Sequence, residues 1–167
     1  MNEMVNEQRQ FNQVQLVIGI IVLLLGSSIY LLDRPIRGLP FLRDYFSQIP
    51  VIPPFLSKIG QVFPAFSHTL GFTLLTVGVL SAGRFGAIVA ASFWLVINLA
   101  FEFGQHPSVA PWIVRMLSEH HEGNILRESM GSFLQSGTFD LRDVAAILLG
   151  AGLAYFIAWV TIERRKP

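Results

Sequence analysis

Apolar residues fall along this chain in four long blocks, and charge and proline collect between them. Residues 10–32 are free of charge, with the run VQLVIGIIVLLLGSSIYLL at their heart. Residues 59–83 carry no formal charge and are interrupted only by His68. Residues 85–101 run up to Glu102, and 144–162 close on Glu163 and the tail Arg164, Arg165, Lys166. A helix crosses a bilayer with about 20 apolar residues, and about 17 is the lower limit. The blocks therefore predict an all-α polytopic membrane protein. It has a single transmembrane domain over 1–167, with four transmembrane helices at about 13–32, 62–81, 85–104 and 143–162. The first block passes beyond Gly26-Ser27-Ser28 into 29–32, which is too long for a cleaved signal peptide.

Connections set the topology. Only Ser81-Ala82-Gly83-Arg84 separates the second and third blocks, so these form an antiparallel hairpin. The other two connections are long, and both fall on the face opposite the termini and Arg84. Cations are denser on the termini face, with Arg9, Arg84, Arg164, Arg165 and Lys166 in little chain. By density the termini are expected to be cytoplasmic. The long connections are partly amphipathic. Residues 34–64 hold Pro35, Pro40, Pro50, Pro53, Pro54 and Pro64 among apolar residues, which argues against a continuous helix. That segment is expected to lie along the membrane surface or over the bundle mouth. In 110–135, APWIVRMLSEHH and NILRESMGSFLQ read as two short amphipathic helices of the interfacial kind.

Composition agrees and narrows the classes. Hydrophobic residues make up 52% and charged residues 14%, against about 25% charge in an average soluble domain. A net charge of +1 offers no basic surface for phosphate backbones, so no nucleic acid is expected as a partner. The chain has no cysteine. The partners expected are the lipid bilayer, a lipid or glycan headgroup as ligand, and a membrane protein neighbour.

A polar group in lipid is costly and needs a reason. The candidates are His68, Asn98, Glu102, Gln105 and Asp143. Asn98, Glu102 and Gln105 stand at i, i+4 and i+7, on one helix face. Measured from the Arg84 side at 1.5 Å per residue, His68 and Asn98 lie about 20 Å up, Glu102 about 26 Å and Asp143 about 28 Å. Three helices thus bring polar side chains to the half of the membrane next to the long loops. Structural roles stand beside this reading. Glu102 and Gln105 also suit the wetted end of the third helix. Asp140 suits an N-cap and Asp143 the N3 position. His68 also suits a hydrogen bond between helices. Thr69, Thr73 and Thr76 are expected to bond their own backbone, and the pairs Gly150/Ala154 and Gly86/Ala90 to make close helix contacts.

Glu102 and His106 at i, i+4, with His120-His121 beyond, would suit a metal. Yet no HExxH or CxxC and no fixed histidine spacing occurs, so no metal is expected. No GxSxG, P-loop or GxGxxG occurs, and no cofactor is expected.

The order of these polar residues resembles the VanZ-like family of small bacterial membrane proteins. In that family a histidine opens a helix, a Glu-x-x-Gln closes the next, and an aspartate begins a last helix with glycines one or two turns on. Here the matching stretches are FSHTLGFTLL with His68, INLAFEFGQ with Glu102 and Gln105, and GTFDLRDVAAILLGAGLAYF with Asp143 and Gly150. The resemblance covers about residues 60–160. The family's lysine before the histidine is replaced near Ala65, its asparagine after the aspartate by Ile147, and Arg142 adjoins Asp143. The resemblance implies an envelope role and no particular reaction.

Three functions follow as expectations. The first is binding of an envelope lipid or peptidoglycan-related headgroup by His68, Asn98, Glu102, Gln105, Arg142 and Asp143. The second is a membrane-embedded hydrolase or transferase using His68 and Glu102. The third is an accessory subunit of a larger membrane assembly.

Overall fold

The computed structural model describes residues 11–33, 54–118, 130, 131, 133, 134 and 137–163. Among them the chain is all-helical. The helices are α1 (Gln13–Asp33), α2 (Pro54–Leu80), α3 (Arg84–Gly104), α4 (Ala110–Ser118) and α5 (Leu141–Glu163). Four of these, α1, α2, α3 and α5, are long and apolar enough to cross a membrane. The four predicted spans are all present, and three of them match to within about two residues.

The second span differs. The sequence pattern places its start near residue 62, with the prolines up to Pro64 breaking any helix. Instead α2 begins at Pro54 and runs through Pro64. Proline is tolerated in the first turn, where its missing N–H has no partner anyway. At Pro64 one backbone bond is lost, but unpaired backbone in lipid is costlier still, so the helix is kept on both sides. The Ser67 hydroxyl donates to the Pro64 carbonyl at 3.0 Å. The rest of the proline-rich segment, 34–53, lies outside the described residues, as do His120, His121 and the tail from Arg164.

α2 is the centre of the bundle. It packs along α1 on one side and α5 on another, while α3 lies against α5 and α2. The core is Leu70, Leu74 and Val77 of α2, Ala87 and Ala90 of α3, and Ala154 and Ala158 of α5. Small residues let the backbones approach, as expected where lipid gives no hydrophobic push between helices. A methyl group at Gly150 would stand 2.6 Å from the Phe66 carbonyl oxygen. The contact expected of Gly150 and Ala154 is therefore present. Gly86 instead lies against Ala82 of the turn, so that glycine serves the hairpin. A second small-residue seam, with no counterpart in the sequence reading, joins α1 to α2. Gly19 and Gly26 of α1 face Gly71 and Ser67 of α2, and Gly78 faces Leu16.

Outer faces of the spans are apolar and exposed, including Val17 and Leu24 of α1, Phe93 and Val96 of α3, and Leu149 and Phe156 of α5. In a bilayer these faces meet acyl chains.

The hairpin turn closes on a helix cap. Ala82 N–H donates to the Val77 carbonyl at 3.1 Å, and Ser81 takes the left-handed conformation, φ 46°. This is the six-to-one bond of a Schellman cap, with serine where glycine is usual. Gly83 is extended and caps α3 without a side-chain bond. Asn12 N–H donates to the Gly78 carbonyl at 3.0 Å, so the start of α1 lies beside the end of α2. Arg84 stacks its guanidinium 3.9 Å over the Trp159 ring, which places the end of α5 there too. The start of α1, the hairpin turn and the end of α5 thus share one end of the bundle. Both long connections leave from the other, as the segmentation predicted.

Candidate functional site at the loop-side end

Glu102 anchors this end. It lies on the last turn of α3 and is only 7% exposed. Its Oε1 accepts the backbone N–H of Asp140 at 2.7 Å. Asp140 is the N-cap of α5: its own Oδ1 accepts the Arg142 N–H at 2.9 Å, and its carbonyl accepts Asp143 N–H at 3.0 Å. The N-cap reading of Asp140 and the N3 reading of Asp143 both hold.

A capping box normally satisfies the N-cap N–H with an acidic or amide side chain at N3 of the same helix. Here the reach comes from Glu102, 38 residues away on another helix. The acid at the end of α3 therefore ties down the start of α5. The reading of Glu102 as a wetted helix end is replaced by a buried one. One oxygen is used in this tie, and among the described residues the Glu102 carboxylate makes no other hydrogen bond. An ionised carboxylate has acceptor capacity for several bonds.

Gln105 follows as the cap of α3, its N–H donating to the Glu102 carbonyl at 3.1 Å. Its side chain lies directly over Gly137, where any Cβ would collide with it. Glu102 and Gln105 are thus brought to one strip of chain, 137–143. Arg142 on that strip is exposed and Asp143 is half-buried.

The other two candidates stand apart from this cluster. Asn98 donates through Nδ2 to the Trp94 carbonyl at 2.7 Å, satisfying its own helix. His68 is half-buried, with its ring 5.8 Å from that of Phe72. Phe66 and Thr69 flank Gly150, seven residues along α5 from Asp143, so His68 lies about 10 Å deeper than Asp143. It does not open a helix as the family pattern has it, because α2 begins fourteen residues earlier at Pro54. Among the described residues no hydrogen bond joins His68 to Glu102.

Of the threonines, Thr69 and Thr76 bond the carbonyls four residues back, as expected. Thr76 also accepts from Trp94 Nε1 at 2.9 Å, beside the stacked Phe72 and Trp94 rings. Thr73 departs from the expectation: its buried hydroxyl has no hydrogen-bond partner among the described residues. His106 is taken up locally. Its Nδ1 accepts the Ser108 N–H at 3.2 Å and its ring packs on Phe139. No group of three metal-binding side chains gathers among the described residues.

Sequence reasoning passes over a polar pair at the opposite end. Gln15 is fully buried, and its Nε2 donates to Thr161 Oγ1 at 2.8 Å, tying α1 to α5. Its N–H lies 3.4 Å from the Asn12 side-chain oxygen. The available signal is two uncharged polar residues three apart at the edge of an apolar block.

No family model matches this chain, and no curated protein or solved structure is similar to it.

Proposed function

We propose that the chain is a VanZ-like integral membrane protein of the bacterial cell envelope. It sits in the cytoplasmic membrane with its termini inside and binds an envelope-lipid or peptidoglycan-related headgroup at its loop-side end. One observation carries the reading: more charge is present there than helix tying requires. A neutral amide oxygen would also accept the Asp140 N–H, through a weaker bond. A carboxylate in its place keeps a negative charge and a second oxygen at the mouth of the bundle.

In this reading Glu102 and Asp143 accept hydrogen bonds from headgroup hydroxyls or amines. Arg142, exposed beside them, pairs with phosphate. Gln105 offers both donor and acceptor. In this reading His68 and Asn98 take part from deeper positions apart from the cluster, His68 as a donor whose charge can switch. Termini-inside orientation is supported by Arg84 on Trp159, next to the end of the helix that precedes Arg164, Arg165 and Lys166.

The test uses Glu102→Gln with Asp143→Asn, which preserve shape and acceptors while removing charge. Short-chain phosphatidylglycerol at a hundredfold excess over its Kd should stabilise the wild-type protein in detergent by about 2.7 kcal/mol. The double variant should lose that stabilisation and keep its helicity, and inorganic phosphate should reproduce it only if no lipid chain is needed. Unchanged ligand stabilisation and unchanged envelope phenotypes in the double variant would overturn the reading.

A further inference from the structure

An apolar surface at the loop-side end is not used by the bundle. Trp112 and Met116 are 62% and 48% exposed on α4, with exposed Arg115 beside them. Met130 and Phe133, helical residues further on, are exposed as well. The inner side of α4 is occupied: Ala110 is buried, Ile113 lies against Gly104, and Val114 against Gly131.

The contact with Gly104 fixes the depth of α4. Gly104 ends α3, a helix of 21 residues starting at Arg84. That length is about 30 Å, the thickness of a bilayer's hydrocarbon core. α4 is therefore held at the boundary between acyl chains and headgroups. Phe101, on the exposed side of α3 one turn earlier, meets the Phe133 ring edge-on at 6.0 Å. The lipid-facing surface of α3 thus continues onto this segment. Tryptophan beside arginine suits that depth. The indole covers apolar chains, and the arginine stem lies along them while its head reaches the headgroups.

We infer that α4 and the Phe133 segment form a collar seated in the interfacial layer of the loop-side leaflet, bound to the membrane by Trp112, Met116 and Phe133. The occupant of this apolar surface is the lipid of the protein's own bilayer. Its depth and its continuity with the outer face of α3 favour lipid over a second copy or another protein. The collar goes beyond the headgroup reading and does not depend on it.

A cysteine-free chain allows single thiol labels. Met116→Cys, Ser92→Cys and Thr138→Cys, all exposed positions, would each carry a nitroxide in the full-length protein. The protein would sit in nanodiscs of phosphatidylcholine and phosphatidylglycerol. Ser92, about 12 Å from Arg84 along α3, marks the membrane interior. Thr138, in the connection that leads into α5, is the loop-side reference. The Met116 label should be more accessible to oxygen than to a water-soluble nickel chelate, and should lie shallower than the Ser92 label. Nickel accessibility at Met116 equal to or above that of the Thr138 label would overturn the collar. Shielding from both reagents would place protein over the surface and overturn it equally. Independently, Trp112 fluorescence in a Trp94→Phe, Trp159→Phe background should fall at least twofold with lipids brominated near the headgroup. Unchanged emission would also overturn the proposal.

Discussion

The two ends of the bundle solve the same problem with different chemistry. At each, helices that no short turn connects must be held together. At the termini end neutral groups tie α1 to its neighbours, Asn12 N–H to the Gly78 carbonyl and the Gln15 amide to Thr161, while the Arg84 guanidinium over Trp159 joins α3 to α5. At the loop-side end a buried carboxylate does it, Glu102 on the Asp140 N–H. The α1 ties show that a hydrogen bond between helices can form without charge. The charge at the other end is therefore open to another use, and the pair of ends separates a structural tie from a binding group.

Substitutions can break or sharpen that comparison. The largest effect is expected midway between the ends and sets the scale. Gly150→Val would drive side-chain atoms against the Phe66 carbonyl and the Leu70 N–H, which cannot swing aside. A loss of about 3 kcal/mol is expected in detergent unfolding. Gly152→Ala, with nothing within 4 Å of its Cβ, should gain up to about 1 kcal/mol through helix propensity.

Next comes Glu102→Ala, which strands the Asp140 N–H and should cost about 2 kcal/mol. Glu102→Gln keeps an acceptor and should cost under about 1 kcal/mol. If the two variants lose equal stability, the charge itself is structural and the contrast between the ends disappears. Asp140→Ala removes the N-cap bond to Arg142 and should cost about 1 kcal/mol, read as frayed amides in hydrogen exchange at 141–143.

The smallest effect is expected at the Gln15 tie of the termini end. Gln15→Leu removes one bond but also a buried oxygen, Oε1, that has no hydrogen-bond partner among the described residues. Thr161 still donates to the Ile157 carbonyl. Stability should change by no more than about 0.6 kcal/mol, the mean for hydrogen bonds between membrane helices. A loss of about 2 kcal/mol would make the two ends equivalent.

Much of the fold is legible in the sequence because lipid is a demanding solvent. A span must be apolar over its whole length and helical throughout, so the hydropathy blocks locate α1, α3 and α5 nearly to the residue. The start of α2 escapes the pattern because proline's local cost is only half of the balance. The bilayer's penalty on open backbone is the other half, and it carries the helix through Pro64. The candidate site is legible in part. Spacing puts Glu102 and Gln105 on one face and Asp143 at a matching depth, and all three lie at the loop-side end. Spacing gives no sign that Asp140 is the partner of Glu102. That bond joins groups 38 residues apart, and periodicity reports only faces within one helix.

By itself, the sequence determined the solvent, the number of spans, the hairpin at Ser81 and the side from which the long connections leave. Each follows from a local rule: length, hydropathy or turn length. Tertiary structure alone decided which helix is central and which glycines are contacts. It also decided that Gln15 is buried and that an acid on α3 caps α5. These depend on which faces meet. Among helices that are apolar all round, the pattern of polar residues leaves that choice open, and close packing of backbone and small side chains makes it.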